Sequence, residues 1–176
     1  KGGAKFDFEK AKWFNHEWIK LLSAETLKPL VTKQLKQQNI QAEHHTKLNK
    51  IIDLVKERCT LLPDFVQQTS YFFQKPAVID TAAIRSKWNE QKQLFFIELI
   101  RTWELTTLWE TQQLEESFKE LTAIFSIKLG EVLLPLRIML VGGKFGPDIF
   151  EIATLLGKTE TIERIQYALS LLQKAE

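Results

Sequence analysis

The chain contains 176 residues, 44% of them hydrophobic and 26% charged, and its formal net charge is +2. This composition is typical of a folded globular protein and excludes an intrinsically disordered chain. No apolar run approaches the roughly 20 residues that a membrane helix needs, so we expect no membrane partner. The small basic excess permits RNA binding without requiring it. The single cysteine, Cys59, excludes an internal disulfide and favours a reducing compartment, for which we expect the cytoplasm.

The first part of the chain is predicted to be helical. Residues 1–22 are rich in aromatic side chains, and we expect a connection that starts with glycines and leads into one or two short helices. Ser23 is a suitable N-cap for a helix that runs to about Gln38. We expect Pro29 to kink or restart this helix and Asn39 to end it.

A second helical pattern begins at Glu43. Apolar residues recur there at spacings of three and four, which predicts an amphipathic helix: Leu48, Ile51, Ile52, Val55 and Cys59. Leu62-Pro63 opens another short helix through Phe73, and Lys75-Pro76 breaks it. This break is a natural division between two subdomains.

The next region is predicted to be a long helix that begins at Thr81, with Asp80 as its N-cap. Its centre, residues 94–100, is apolar without clear alternation, which predicts a helix covered on most sides. The following helix continues the apolar period at Leu114, Phe118, Leu121, Ile124 and Phe125.

Residues 133–164 carry the clearest start and stop signals. An apolar helix with Pro135 and a lone Arg137 ends at Gly142-Gly143. Gly146-Pro147-Asp148 opens a second helix with Pro147 in its first turn, and Gly157 closes it. Thr159 is expected to cap a third helix, whose apolar stripe is Ile162, Ile165, Leu169 and Leu172. The whole pattern predicts an all-α fold of about eight to ten helices in two packed subdomains.

Few residues could carry catalysis. The glycines at 142, 143 and 146 are too few and too irregular for a phosphate-binding loop. His44 and His45 are adjacent and would point about 100° apart on a helix, so they cannot chelate one metal ion as an i, i+4 pair can. His16 is expected to be a solvated surface residue and Cys59 a small packed hydrophobe. Four glutamates are expected to be solvating surface charges: Glu115, Glu116, Glu160 and Glu163. We therefore predict no catalytic residue, no metal site and no cofactor site in this chain.

Three arginines have different expected environments. Arg58 lies near the end of the stripe at residues 48–59, with its stem against the core and its guanidinium at the rim. Arg137 lies within an apolar run and must reach an acidic partner or a groove, because an unpaired buried charge is costly. Arg164 follows Glu160 by four residues, as in an ordinary surface ion pair. From the residues alone, structural pairing and ligand binding both remain open for Arg58 and Arg137.

Residues 133–164, LLPLRIMLVGGKFGPDIFEIATLLGKTETIER, resemble the end of bacterial glutamyl-tRNA synthetases, where this pattern closes the anticodon-binding region. Residues 6–15 and the segment around Val55-Lys56-Glu57-Arg58 are similar to earlier parts of the same region. Residues 77–127 match only as a helical pattern. One departure is Val141-Gly142-Gly143-Lys144, which replaces a turn that more often contains Thr-Gly in that family.

The resemblance implies a role for particular residues. Arg58 would contact the third anticodon base, and Arg137 would contact the anticodon as well. Lys56 and Lys144 are the candidates for contacts to the RNA backbone. The implied partner is the anticodon stem-loop of glutamate tRNA, with no DNA partner, and we expect a monomer.

The resemblance also implies a division of the parent protein. Residues 1–22 would be the remnant of a stem-contact region, 23–75 the first anticodon-binding subdomain and 76–176 the second. The family's two ATP-site motifs, His-x-Gly-His and Lys-Met-Ser-Lys-Ser, are absent from the chain. ATP and Mg²⁺ would therefore be used by a catalytic part outside it. The alternative is a helical protein-interaction module with no RNA role, which would bury Arg58 and Arg137 against carboxylates.

Overall fold

The computed structural model describes residues 7–42 and 46–173, and within them it contains ten α-helices and no strand. The chain divides into two compact units, the first ending at Gln74 and the second beginning at Lys75. The first unit contains α1 (Phe8–Leu21), α2 (Ala24–Gln37), α3 (Leu48–Val55) and α4 (Asp64–Thr69). The second contains α5 (Ala82–Arg85), α6 (Glu90–Leu105), α7 (Thr111–Ile124), α8 (Leu129–Val141), α9 (Ile149–Leu156) and α10 (Lys158–Gln173). The predicted all-α fold is confirmed.

Helix α2 begins as predicted but is not interrupted. Ser23 Oγ accepts a hydrogen bond from the Thr26 N–H at 3.2 Å, which confirms Ser23 as the N-cap. The helix continues through Pro29, so of the two predicted effects of this residue the restart is wrong, and the kink stays a prediction. Its apolar stripe is fully buried on either side of the proline, at Leu27, Val31 and Leu35. Packing of that stripe against α3 and α4 outweighs the one hydrogen bond that proline removes.

Helix α1 is held to the segment that follows α3 by two polar contacts. His16 Nδ1 donates to the Cys59 carbonyl at 3.0 Å, and Asn15 Nδ2 donates to the Thr60 carbonyl. Ile19 is buried beside them. The prediction of a solvated His16 is therefore wrong, because a neighbouring backbone carbonyl provides its partner. His44 and His45 lie outside the described residues.

The long helix predicted from Thr81 is two helices. Helix α5 ends at Arg85, and α6 begins at Glu90 with Asn89 as its N-cap, whose Oδ1 accepts from the Lys92 N–H at 3.0 Å. The centre of α6 is also less covered than predicted, since Leu94 is 49% exposed. Its buried side carries Phe95 and Trp103, which form the aromatic centre of the second unit.

The helices in residues 133–164 begin and end almost where the sequence predicts. Gly142 ends α8 in the left-handed region, with φ of 81°. The Asp148 carboxylate caps α9 by accepting from the N–H groups of Phe150 and Glu151 at 2.8 and 3.0 Å. Pro147 precedes this cap instead of lying in the first turn, and α10 begins at Lys158, one residue before the predicted cap Thr159. The predicted stripe of α10 is buried: Ile162, Ile165, Leu169 and Leu172.

Candidate nucleic-acid interface

Arg137 lies on α8 and is half-buried between apolar neighbours. Its Nη1 donates a hydrogen bond to the Pro147 carbonyl at 2.8 Å. The guanidinium thus meets a backbone acceptor beside the turn that follows its own helix, which offsets part of the cost of placing a charge in an apolar run. This contact also orients the planar face of the side chain relative to that turn.

The turn after α8, which we call the α8–α9 loop (residues 142–148), is held at both ends. At its start the Gly142 carbonyl accepts from the Asp80 N–H at 3.0 Å. A Cβ at Gly142 would lie 2.6 Å from the Val78 carbonyl oxygen, so glycine permits a close backbone approach here. Near its end the Pro147 carbonyl is held by Arg137. The middle of the loop therefore lies between two ends that are held by hydrogen bonds.

Two exposed side chains project from the middle of this loop. The Lys144 side chain is 50% exposed, and its Nζ lies 3.9 Å from Asp80 Oδ2. Phe145 is 84% exposed. Sequence patterns did not single out Phe145, although a large apolar residue inside a glycine-rich turn has no core position to fill and is itself a signal. The loop thus offers a cation and an aromatic ring next to Arg137.

Arg58 and Lys56 belong to the first unit, on a 3₁₀ turn (Lys56–Arg58) that follows α3. Arg58 is exposed, and the structure records no ion pair of its guanidinium with the described residues. Lys56 is more confined: its side chain is 20% exposed, and its Nζ lies 2.9 Å from Asp53 Oδ1 and donates to the Leu22 carbonyl at 3.3 Å. Of these two, Arg58 has the free donor groups. Arg58 and Arg137 lie in different units.

Basic side chains recur on the outer face of α2. Three lysines line a shallow groove there, together with Pro29 and Thr32: Lys28, Lys33 and Lys36. The first 74 residues contain twelve Lys or Arg and eight Asp or Glu, whereas the remaining residues contain twelve and fourteen. The basic excess of the chain is therefore confined to its first unit, where polyanions are attracted most strongly.

The predicted ion pair of Arg164 with Glu160 is confirmed, but its predicted surface location is wrong. Arg164 is not a surface residue, since only 4% of its side chain is exposed. Its Nε donates to Glu160 Oε1 at 2.7 Å, and its Nη1 donates to the Leu140 carbonyl at 2.6 Å. Burial lowers the pKa of the Arg164 guanidinium, and the hydrogen bond to Glu160 opposes that shift. Glu160 is likewise only partly exposed, contrary to its predicted role as a solvating charge.

Cys59 does not have the setting of a reactive nucleophile. Cys59 is fully buried, and burial, with a smaller effect of Asp64, raises the pKa of its thiol to about 12. A thiol of this kind is protonated and shielded at neutral pH, which makes it a poor nucleophile. Across residues 7–42 and 46–173, no group of three or more His, Cys, Asp or Glu side chains is arranged to hold a metal ion. None of the helices described is long and apolar enough to cross a membrane.

The sequence of this chain is similar to those of known proteins. Residues 16–169 match a family model described as an anticodon binding domain. The glutamate–tRNA ligase of Christiangramia forsetii is 36% identical over 173 residues, which cover 98% of this chain and 34% of that protein. The glutamate–tRNA ligase of Flavobacterium johnsoniae is 36% identical with the same coverage. The chain spans about a third of the length of these relatives.

Solved structures show the same relationship. A glutamate tRNA ligase from Elizabethkingia meningosepticum, crystallised in complex with its amino acid, is similar with a TM-score of 0.87 and 34% identity, covering 98% of this chain and 34% of that one. The glutamate-tRNA synthetase from Elizabethkingia anophelis is similar with a TM-score of 0.81 and 34% identity, covering 96% and 33%. These likenesses confirm the resemblance carried by residues 133–164.

Proposed function

The chain belongs to the anticodon-binding-domain family, and we propose that it recognises the anticodon loop of glutamate tRNA as the tRNA-binding part of a glutamate–tRNA ligase. One structural observation carries the proposal. The Pro147 carbonyl holds the Arg137 guanidinium beside a loop whose Lys144 and Phe145 side chains are exposed, so a positive charge lies next to a surface that an RNA loop can reach.

We assign base contacts to Arg58 and Arg137. Bases in an RNA loop are unstacked and expose acceptors on their Watson–Crick edges, to which arginine offers a planar fork of donors. Arg58 is exposed on a 3₁₀ turn, which supports a base contact, and the resemblance to glutamyl-tRNA synthetases implies that this base is the third of the anticodon. A cytosine there would present O2 and N3 to this fork, so Arg58 would select it against a purine by shape and pairing.

We assign contacts with the RNA backbone to Lys144 and Lys56. Lys144 is the more available of the two, because its side chain is 50% exposed and its ionic contact with Asp80 is long, at 3.9 Å. Lys56 Nζ has one N–H left after its contacts with Asp53 and Leu22, so we expect it to contribute less. The basic excess of the first unit supports a backbone contact on that side of the RNA.

The remaining parts of the proposal concern the parent protein. Residues 1–22 would lead out of a stem-contact region, and 23–75 and 76–176 would be the two anticodon-binding subdomains. Attachment of glutamate to the tRNA would occur in a catalytic part outside this chain, which would use ATP and Mg²⁺. The parent would act as a monomer in the cytoplasm, where its thiol stays reduced.

The proposal is tested by the affinity of the 176-residue chain for two RNA stem-loops. One carries the glutamate anticodon, and the other differs only at the third anticodon base. We expect salt-sensitive binding with a preference for the first, and a loss of that preference by about 1–3 kcal/mol in Arg58→Ala, because the guanidinium reads the base edge. Arg137→Ala should weaken binding to both RNAs and change the preference at another anticodon position.

A matched control is Arg101→Ala. Arg101 is an exposed arginine, with a side chain 69% exposed, whose ion pair with Glu98 lies within its own helix. This variant should bind both stem-loops like the wild type. If Arg58→Ala keeps the third-base preference and Arg137→Ala binds both stem-loops as tightly as the wild type, the site assignment is wrong. If the wild-type chain shows no salt-dependent RNA binding at all, the protein-interaction alternative replaces the proposed function.

A further inference from the structure

Phe145 is the most exposed aromatic residue beside the candidate site, with 84% of its surface accessible. Isolated apolar residues are common on protein surfaces and carry little meaning by themselves. Phe145 differs in its setting, since Lys144 precedes it and Arg137 contacts the same loop two residues further on, at Pro147. An aromatic ring between cationic side chains is the composition that proteins use to hold single-stranded nucleic acid.

The loop frame gives Phe145 a defined position. Gly142 and Gly146, which flank the segment with Lys144 and Phe145, both have positive φ, of 81° and 155°, a conformation that favours glycine. The hydrogen bond from the Asp80 N–H to Gly142 and that from Arg137 to Pro147 hold the two ends. A ring held in this way loses little conformational freedom when it binds a flat ligand.

We propose that Phe145 is a stacking platform for one unstacked base of the bound RNA loop. This inference rests on the proposed function, since it adds a sequence-tolerant contact beside the arginines that read the base edges. Every base has a flat face, so the contact would contribute affinity without selecting a base. Lys144 would bind the phosphate next to the stacked nucleotide. The nearby Asp80 carboxylate would offset part of the positive charge of Lys144.

The test compares the RNA affinity of three variants of the whole chain. Phe145→Ala should bind the glutamate anticodon stem-loop about 5- to 100-fold more weakly, the range for loss of one base–aromatic stack. Phe145→Trp should restore the affinity to near the wild-type value, because it keeps a flat ring. Phe145→Leu should behave like the alanine variant, because it keeps apolar area without a ring.

Leu105→Ala is the matched control. Leu105 is 83% exposed, at the end of α6. It lies away from the α8–α9 loop, near the far end of α9, where Lys158 Nζ donates to the neighbouring Thr106 carbonyl at 3.0 Å. This variant should bind RNA like the wild type. Thermal unfolding of all four variants should match the wild type, since neither position contributes to the core.

A second arm identifies the stacked base. We would measure the affinity of wild type and of Phe145→Ala for a series of stem-loops, each of which lacks the base at one loop position. The comparison has the form of a double-mutant cycle. The two proteins should differ on every RNA except one, where the stacking partner has been removed. This pattern supports a direct contact and locates it.

Three results overturn the inference. The first is equal RNA affinity of Phe145→Ala and wild type, and the second is full function of Phe145→Leu, which indicates an apolar contact with protein. The third is a lower RNA affinity of Phe145→Ala than of wild type on every RNA that lacks a base. If third-base discrimination still depends on Arg58 in any of these cases, the proposed function stands and only the stacking role fails. If the wild type binds no RNA, both fail.

Discussion

The guanidinium of Arg164 on α10 donates a hydrogen bond to the Leu140 carbonyl at the end of α8, across 2.6 Å. Carbonyl groups in the last turn of a helix have no partner within that helix. Arg164 supplies the missing donor, while Glu160 balances its charge from one turn earlier on α10. This contact fastens the end of α8 directly before the α8–α9 loop, so the buried arginine supports the loop that carries the candidate site.

Replacement of Arg164 should be strongly destabilising. We expect Arg164→Met to lower the free energy of unfolding by about 3 kcal/mol, because it leaves the Glu160 carboxylate and the Leu140 carbonyl without their partner. Arg164→Lys should lie between this variant and the wild type, since it keeps the charge but not the fork. Urea unfolding measures both. Arg101→Ala is the control and should stay within about 0.5 kcal/mol of wild type; an equally small loss at Arg164 contradicts the prediction.

Two adjacent glycines should respond differently to alanine. Gly142→Ala places a Cβ 2.6 Å from the Val78 carbonyl oxygen at a φ of 81°, and we expect it to cost about 2–3 kcal/mol of stability. Gly143→Ala meets no described atom within 4 Å and should change stability by less than about 0.5 kcal/mol. Thermal unfolding midpoints of the two variants give the comparison. Similar midpoints would show that the close approach at Gly142 is absent.

Cys59 should react slowly in the folded chain. Burial raises the pKa of its thiol to about 12, so the reactive thiolate is scarce and shielded at pH 8. We expect a disulfide reagent to label it orders of magnitude more slowly in buffer than in 6 M guanidinium chloride, where about 6 M is enough to unfold ordinary domains. Rapid labelling of the folded chain would contradict the burial.

The same thiol makes stability depend on pH. Between about pH 9 and pH 12 the unfolded thiol is ionised while the folded one keeps its proton, so the folded state binds more protons. Stability should therefore fall as pH rises through this window. Cys59→Ala removes this contribution and should show a shallower decline between pH 9 and 10.5 in urea unfolding, where about 9 is the ordinary value for a thiol. Identical slopes for variant and wild type would rule out the linkage.

Lys144→Ala should change the salt dependence of RNA binding without changing selectivity. Loss of one phosphate contact lowers the slope of log affinity against log salt by about 0.7 for single-stranded RNA. The affinities for the two stem-loops should fall by the same factor, because phosphates carry no sequence information. Lys119→Ala is the control, since the Lys119 side chain is 53% exposed and pairs with Glu115 within α7 at 2.7 Å. An unchanged slope in Lys144→Ala would remove this residue from the interface.

Local signals predicted several helix ends correctly. Ser23 and Asp148 are caps, and Gly142 is the left-handed end of α8, because capping depends on atoms within one turn of the chain. The missed break before α6 is local as well, since Asn89 caps that helix by accepting from the Lys92 N–H. The continuation of α2 through Pro29 has the opposite cause. Whether a helix continues past an unfavourable residue depends on the surface against which it packs, which is formed by distant parts of the chain.

By itself the sequence determined an all-α chain, the apolar stripes and the family resemblance, all of which depend on the order of neighbouring residues. Only the tertiary structure decided which charged and aromatic side chains are buried. Glu160 and Arg164 have the spacing of a surface pair, yet packing of α10 on α8 encloses the arginine. Phe145 is apolar, yet it is 84% exposed in a loop between two glycines of positive φ. Spacing reports the neighbours within a helix, whereas burial depends on what the rest of the fold places over them.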